Sequence, residues 1–169
     1  MPKIEPFEQY SEAYDQWFEK NPDVYQAELK LIRELLPDQP EAEGLEVGVG
    51  SGKFAAPLGI NVGVEPSAQM AARAEKLGIR VVLGAAEDLP FPDASFDYVL
   101  LVTTICFVDD IVQAFAQAYR VLKPGGCIIV GFIELLEQIN KAYDDQSDSE
   151  SLVFSMRSKH HAMVKDQWE

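Results

Sequence analysis

Two acids and a run of glycines dominate the chemistry open to this chain. Residues 44–52 read Gly-Leu-Glu-Val-Gly-Val-Gly-Ser-Gly, placing Gly48, Gly50 and Gly52 two apart and Glu46 two before the first. An apolar alternation that stops in a loop nearly free of side chains lets another molecule approach the main chain closely. When a helix follows, its first N–H groups point into the same crevice. The stretch reads as the floor of a nucleotide-type cofactor site; the plainer reading is a glycine-rich turn with no ligand. The second acid, Glu65, ends the next apolar run, Asn61-Val62-Gly63-Val64-Glu65. A carboxylate at a strand end can accept both hydroxyls of a ribose.

Two cofactor classes use such a loop. The dinucleotide pattern is Gly-x-Gly-x-x-Gly, whose third glycine lets the helix sit tight on the sheet. Gly50-Ser51-Gly52-Lys53-Phe54-Ala55 meets it in part, with alanine in the third place. The other pattern, acidic-x-Gly-x-Gly-x-Gly, is met in full by Glu46 through Gly52. Glu46 decides between them, because a carboxylate there repels a pyrophosphate and attracts a cation. S-adenosylmethionine has an ammonium, a sulfonium and no phosphate. It suits two carboxylates in a chain of formal charge −14. A nicotinamide-dependent oxidoreductase stays as a remote alternative, and a non-catalytic binding module as a nearer one.

The elements that must position these residues alternate between strand and helix. Strands are expected at Gly44–Val49, Asn61–Glu65, Ile79–Leu83, Phe96–Val102 and Cys127–Ile133. They are short, apolar and β-branched, as strands covered on both faces should be. A short helix begins near Gly52, with Pro57 and Gly59 leaving it little room. A second runs over Ser67–Leu77, capped by Ser67 and followed by Gly78. A third runs from Asp109 or Asp110 to about Leu122, and Lys123-Pro124-Gly125-Gly126 ends it. Strand and helix in turn imply a parallel sheet with right-handed crossovers.

Ahead of this core, Phe7–Lys20 and Asp23–Leu36 read as two helices parted by Asn21-Pro22, with Asn21 as N-cap. Tyr10, Tyr14, Trp17 and Phe18 share helical spacing and form one aromatic face. That face either packs on the domain or serves as a lid over a pocket. Val24, Leu31 and Leu35 lie on the apolar stripe of the second helix. Residues 37–43 form a linker. After the fifth strand the chain turns polar. A helix over Glu134–Tyr143, an exposed acidic serine-rich loop over 144–151 and a weakly patterned remainder follow. His160 and His161 lack a third ligand at sensible spacing, so no metal is expected. The domain plan is one unit, 1–169: helices and linker to residue 43, a cofactor-binding core over 44–133, and a polar segment over 134–169.

Composition narrows the partners. Apolar residues make up 47% and charged residues 25%, which is ordinary for a globular chain of 169 residues. The acidic balance disfavours non-specific binding to nucleic acid, which relies on Lys and Arg, and docking on anionic membranes. Cys106 and Cys127 read as small hydrophobes in a reducing compartment. The start lacks a signal-peptide pattern, and no apolar run approaches the roughly 20 residues of a membrane span. The expected location is the cytoplasm.

In its motifs the chain resembles the class I S-adenosylmethionine-dependent methyltransferases, in their small-molecule, type 11-like branch. The resemblance covers about residues 7–133. It rests on the Glu46–Gly52 loop, on Gly63-Val64-Glu65-Pro66-Ser67 with Met70, and on Gly84-Ala85-Ala86-Glu87-Asp88-Leu89-Pro90-Phe91. Ser95-Phe96-Asp97 and Val121-Leu122-Lys123-Pro124-Gly125-Gly126 continue it in order. It implies a Rossmann-like, doubly wound, mostly parallel α/β sheet with helices on both faces and an N-terminal helical lid. It further implies S-adenosylmethionine as cofactor, S-adenosylhomocysteine as product and a small-molecule acceptor.

The resemblance assigns roles by position. Gly48, Val49, Gly50 and Gly52 would cradle the methionine and ribose portions, with Glu46 near the ammonium. Glu65 would hold the ribose hydroxyls beside Pro66. Met70 would pack on the adenine, and Ala86 and Glu87 would meet its edge. Thr103 would line the pocket, and Tyr14, in Tyr14-Asp15-Gln16-Trp17-Phe18, would close over the cofactor. No residue stands out as a base. Thr104, Cys106 and Asp109 have equal readings as pocket wall, core and helix cap, and Trp17, Phe18 and Phe107 could shape an acceptor pocket. Gly52 to Glu65 is short by about one helical turn. Sixth and seventh strands are not evident, so the antiparallel pair that usually closes the family's sheet is expected to be missing or completed by a partner, such as a second copy.

Overall fold

Short strands without polar alternation cannot leave a face in water, so the helices between them must cover both sides of one sheet. The computed structural model describes residues 4–133 and 151–157. The strands are β1 (Gly44–Val47), β2 (Val62–Glu65), β3 (Arg80–Leu83), β4 (Phe96–Val102), β5 (Leu122–Ile133) and β6 (Ser151–Arg157). They lie in the order β3-β2-β1-β4-β5-β6. The first five are parallel, and β6 runs antiparallel to β5.

The period-2 pleat sorts side chains to two cores. Leu45, Val47, Val99, Leu101, Ile128 and Val130 meet helix α6 (Ile111–Val121) through Ala114, Ala118 and Val121. Tyr98, Leu100, Cys127 and Ile129 face the other way, with Leu29 and Ile32 of α3 (Pro22–Leu35) and Ala55 of α4 (Ala55–Leu58). Ala74 of α5 (Ala68–Lys76) joins this second core. Glu46 lies between Leu45 and Val47, so the pleat turns it away from α6 and buries it on the second side. The caps of α5 and α6 are those the sequence suggests: Ser67 Oγ accepts the Met70 N–H, and Asp110 accepts the Gln113 N–H.

Several expectations need correction. The first N-terminal helix is two pieces, α1 (Glu5–Gln9) and α2 (Ser11–Lys20), broken at Tyr10. Tertiary bonds override local propensity there, because the Glu8 carboxylate accepts from Ser67 Oγ at 2.7 Å and draws α1 onto the start of α5. The break leaves Tyr10 63% exposed, so Phe7, Tyr14 and Phe18, rather than Tyr10 and Trp17, turn inward. Asn21 does not cap α3; its side-chain amide donates to Trp17 O and closes α2 instead. Leu31 is exposed, and the buried stripe of α3 runs through Glu28, Leu29 and Ile32.

The fifth strand starts at Leu122 instead of Cys127. Phe96 pairs with Leu122 and Tyr98 with Cys127, so Lys123–Gly126 bulge from the ladder. Beyond it, Ser151–Arg157 forms a sixth strand where none was expected. Its sequence, Ser-Leu-Val-Phe-Ser-Met-Arg, is weakly patterned, but β5 offers a long row of edge N–H and C=O groups that pairing satisfies. The helix expected over Glu134–Tyr143, most of the acidic loop, and His160 and His161 lie outside the described residues. No helix among the described residues is long and apolar enough to cross a membrane.

Candidate functional site

The strand order reverses between β1 and β4, and in open α/β sheets ligands bind outside the carboxyl ends of the strands at such a switch point. A cleft opens there, at the kind of place where small-molecule sites form. Gly48, Gly50, Glu65, Pro66 and Met70 line one side, and Ala86, Glu87, Thr103, Thr104, Phe107 and Val108 the other. Ile4, just ahead of α1, Phe7 of α1 and Tyr14 of α2 cover it.

The glycine loop divides its labour. Gly48 has φ +71°, its N–H reaches Val64 O at 2.8 Å, and a Cβ on it would meet Thr104 Oγ1 at 2.5 Å. Gly50 faces the cleft, where its N–H donates to Glu65 Oε2 at 2.9 Å. Gly52, at φ +83°, does not line the cleft. A Cβ there would meet Ile79 Cδ1 at 2.6 Å and Ala74 at 3.3 Å, so this position lets α5 and the start of β3 pack against the loop. Val49 is likewise core rather than lining.

Glu65 ties the loop to the next helix, since its other oxygen accepts the Ser67 N–H at 2.9 Å. Burial pushes its carboxyl up, the Ser67 and Gly50 N–H groups pull it down, and the nearby Glu8 charge raises it; the net direction is upward. Each oxygen keeps a free lone pair for a further donor. Although Gly52 to Glu65 is short, α4 spans only Ala55–Leu58 and the carboxylate still reaches Gly50.

Glu46 is 1% exposed and sits beneath the loop rather than in its wall. It accepts the Ala55 N–H, but its Oε2 has no hydrogen-bond partner among the described residues. Burial drives its carboxyl well above the usual range, Ala55 opposes this, and Glu65 adds to it. The Tyr14 phenol is likewise raised, by burial first and then by Glu46, Glu65, Asp15 and Glu28. It is therefore a neutral hydroxyl at the cleft. Its helix α2 is fastened to the core by Asp15, which accepts from Ser51 Oγ and pairs with Arg73 at 2.8 Å.

A family described as a methyltransferase domain matches residues 45–130, half of the chain. A Thermotoga maritima crystal structure called a SAM-dependent methyltransferase, "possible histamine N-methyltransferase", is 45% identical. It superimposes with a TM-score of 0.77, covering 85% of this chain and 70% of that one. An uncharacterized Methanocaldococcus jannaschii protein is 41% identical over 140 residues, 83% of this chain and 67% of its own length. Phosphoethanolamine N-methyltransferase 2 of Caenorhabditis elegans is 32% identical over 152 residues, 81% of this chain and 33% of that protein. The chain thus spans about two thirds of the Methanocaldococcus relative and under half of several others.

The chain belongs to the S-adenosylmethionine-dependent methyltransferases.

The residues present fit the methyltransferase cofactor. An orphaned buried carboxylate oxygen under a glycine cradle suits an ammonium, and a strand-end carboxylate with spare lone pairs suits a ribose. Buried Met70 sits beside Gly50, where a flat apolar ring could rest. Thr103 adopts φ +53°, an outlier for a β-branched residue. Such strain collects at functional sites, and here the Thr103 N–H holds Gly131 O at 2.7 Å.

Of the residues weighed as bases or acceptor contacts, few remain. The Thr104 hydroxyl lies 3.0 Å from Val47 O and 3.1 Å from Val102 O, to which its one proton is committed. Cys106 is exposed, and its thiol is pushed up by desolvation, the wrong direction for a nucleophile. Asp110, not Asp109, caps α6. Trp17 and Phe18 stand outside the cleft, whereas Phe107 lines it and meets Phe7 edge-on at 4.9 Å. Sequence reasoning missed Ile4, Phe7, Gly84, Ala85, Val102 and Val108 as lining. Phe7 meets Tyr14 edge-on at 6.1 Å across the break at Tyr10, a contact between two helices that no repeat along one helix announces.

Proposed function

We propose that this methyltransferase transfers a methyl group from S-adenosylmethionine to a small-molecule acceptor in the cleft between the N-terminal helices and the carboxyl ends of β1 and β4. The observation that carries this reading is the buried, unpartnered Oε2 of Glu46 beneath the glycine loop. A carboxylate without a partner is costly to bury and becomes favourable once a cation approaches it.

Glu46 would receive the cofactor's ammonium, directly or through a water, and Glu65 the ribose hydroxyls. Gly48 and Gly50 let the main chain come close, and Met70, Pro66 and Ala86 shape the apolar wall for adenine. Gly52 and Val49 support that loop from behind. When bound, the cofactor supplies an already activated methyl on sulfur for in-line displacement. The chain's own work is then alignment and exclusion of water. Phe7 and Tyr14 close the cleft from above, and Phe107 and Val108 close it from the side. An acceptor nitrogen with a free lone pair needs no protein base. That agrees with the commitment of Thr104 and with the N-methyltransferase names of two relatives. The acidic chain with only two cysteines is assigned to the cytoplasm on the same reading.

Mass spectrometry of the purified protein should reveal co-purified S-adenosylmethionine or S-adenosylhomocysteine. Incubation with methyl-labelled cofactor and a panel of small amines should transfer label to at least one of them. Binding without transfer to any amine, alcohol, thiol or carbon acceptor would instead make the chain a non-catalytic binding module. Absence of binding would end both readings.

A further inference from the structure

Glu87 is the residue whose structural surroundings depart most from the role expected of it. Glu87 lines the cleft, and adenine recognition would leave its carboxylate oxygens open to the ligand. Instead, Glu87 Oε1 accepts the Asp109 N–H at 2.7 Å and the Asp110 N–H at 3.2 Å. Its backbone carbonyl accepts from Gln113 Nε2 at 3.2 Å, and Gln113 in turn donates its own N–H to Asp110. One residue thus ties the far end of the 103–110 loop and the first turn of α6 to the segment that follows β3.

The platform behind Glu87 is firm. Arg120 of α6 donates to Leu89 O and Phe91 O, each at 2.8 Å, and Gln117 accepts the Leu89 N–H at 3.2 Å. The near end of the 103–110 loop is fixed separately, by Thr103 N–H on Gly131 O and Thr104 Oγ1 at Val47 O. Between these anchors Phe107 and Val108 enter the cleft. Phe107 meets Phe7 of α1 at an interplanar angle of 86°. Helix α1 is otherwise held on this core by Glu8 at Ser67 and Gln69.

We infer that Glu87 is a positioning residue rather than an adenine contact: it sets the 103–110 loop so that Phe107 forms the rim on which Phe7 closes the cleft. Charge-assisted bonds from one carboxylate oxygen to two N–H groups are strong enough for this, and a neutral amide oxygen at the same place keeps the acceptor. The significance for methyl transfer rests on the proposed function, whereas the rim itself does not.

Hydrogen exchange read by mass spectrometry on the full chain tests it, with Glu87→Ala, Glu87→Gln and Phe107→Ala compared with wild type. In Glu87→Ala, exchange should quicken by about tenfold or more in peptides covering 103–113 and also in those covering 4–9. Glu87→Gln should restore both to near wild-type rates. Phe107→Ala should quicken 4–9 while leaving 109–113 protected. Titration with S-adenosylhomocysteine completes the set, and Glu87→Gln should bind within about threefold of wild type, a small fraction of a lost charged hydrogen bond. Unchanged exchange in Glu87→Ala, or a tenfold weaker titration in Glu87→Gln with normal exchange, would overturn the assignment and return Glu87 to the adenine. If Glu87→Ala does not fold, Phe107→Ala decides, and unchanged exchange over 4–9 would refute the rim. A wild-type protein that ignores S-adenosylhomocysteine would defeat the proposed function and leave the exchange result standing.

Discussion

Replacing Glu46 with Gln should make the unliganded protein more stable and the liganded protein less so. In the native state this carboxyl is buried, with Oε2 unpartnered, and its pKa is raised well above the ordinary range. Unfolding returns it to water. A raised native pKa means the native state keeps a proton that the unfolded chain has released. Stability is therefore full below the unfolded value of about 4.3 and is lost as pH rises through the native one. Gln keeps the shape and the acceptor for Ala55 and removes the ionisation. The gain near neutrality should be about 1–3 kcal/mol, the excess cost of burying a charged rather than a neutral polar group, since the Gln amide nitrogen stands in the same unpartnered place. At about 2–4 °C per kcal/mol for a chain of this size, Tm should rise by about 2–12 °C. The gain should vanish near pH 4. With S-adenosylhomocysteine, which keeps the ammonium, affinity should fall by about 10- to 150-fold, a loss of about 1.5–3 kcal/mol. Thermal melts across pH 4–8, with and without ligand, show both effects. A Glu46→Gln protein less stable than wild type at pH 7.5 would mean that the carboxylate has a cationic partner in the native state. Unchanged affinity would separate Glu46 from the ammonium.

Two further substitutions probe the same loop. Glu65→Ala should weaken S-adenosylhomocysteine binding by about 1.5–3 kcal/mol in calorimetry, and should also lower Tm because the Gly50 and Ser67 N–H groups lose their acceptor. Glu65→Gln keeps only one of the two acceptor oxygens and turns an amide NH2 towards the other N–H group, so it should lose part of the Tm as well as part of the affinity. Gly52→Ala should cost about 1–3 kcal/mol in chemical denaturation, from left-handed strain and the approach to Ala74 and Ile79. Because Gly52 lies behind the cleft wall, affinity at a temperature where the variant is folded should change far less than in Glu65→Ala.

Much of this architecture is legible from the residues because local signals and global fold agree. The Ser67 cap, the glycine after α5 and the apolar β-branched strands each have one economical reading, and the β1–β4 switch point follows from their order. The acids at 46 and 65 are legible for the same reason: a pleat and a strand end fix where they go. What escaped depends on distant partners. Nothing in the residues around Tyr10 breaks a helix; the bond from Glu8 to Ser67, 59 positions away, does. Glu87 does line the cleft, but Asp109 and Asp110 claim one of its carboxylate oxygens, which no local signal shows. Ser151–Arg157 has little strand character of its own and takes it from the edge of β5. Gly52 has the spacing of a ligand-facing glycine and the surroundings of a packing one, a difference visible only once Ala74 and Ile79 are beside it.

Isothermal titration of the wild-type chain with S-adenosylhomocysteine at neutral pH tests the cleft most directly. A site built from Glu46, Glu65 and the Gly48–Gly50 main chain should bind it at micromolar strength, one molecule per chain. No heat at any temperature, with the protein shown to be folded, would contradict the assignment of this cleft to the cofactor.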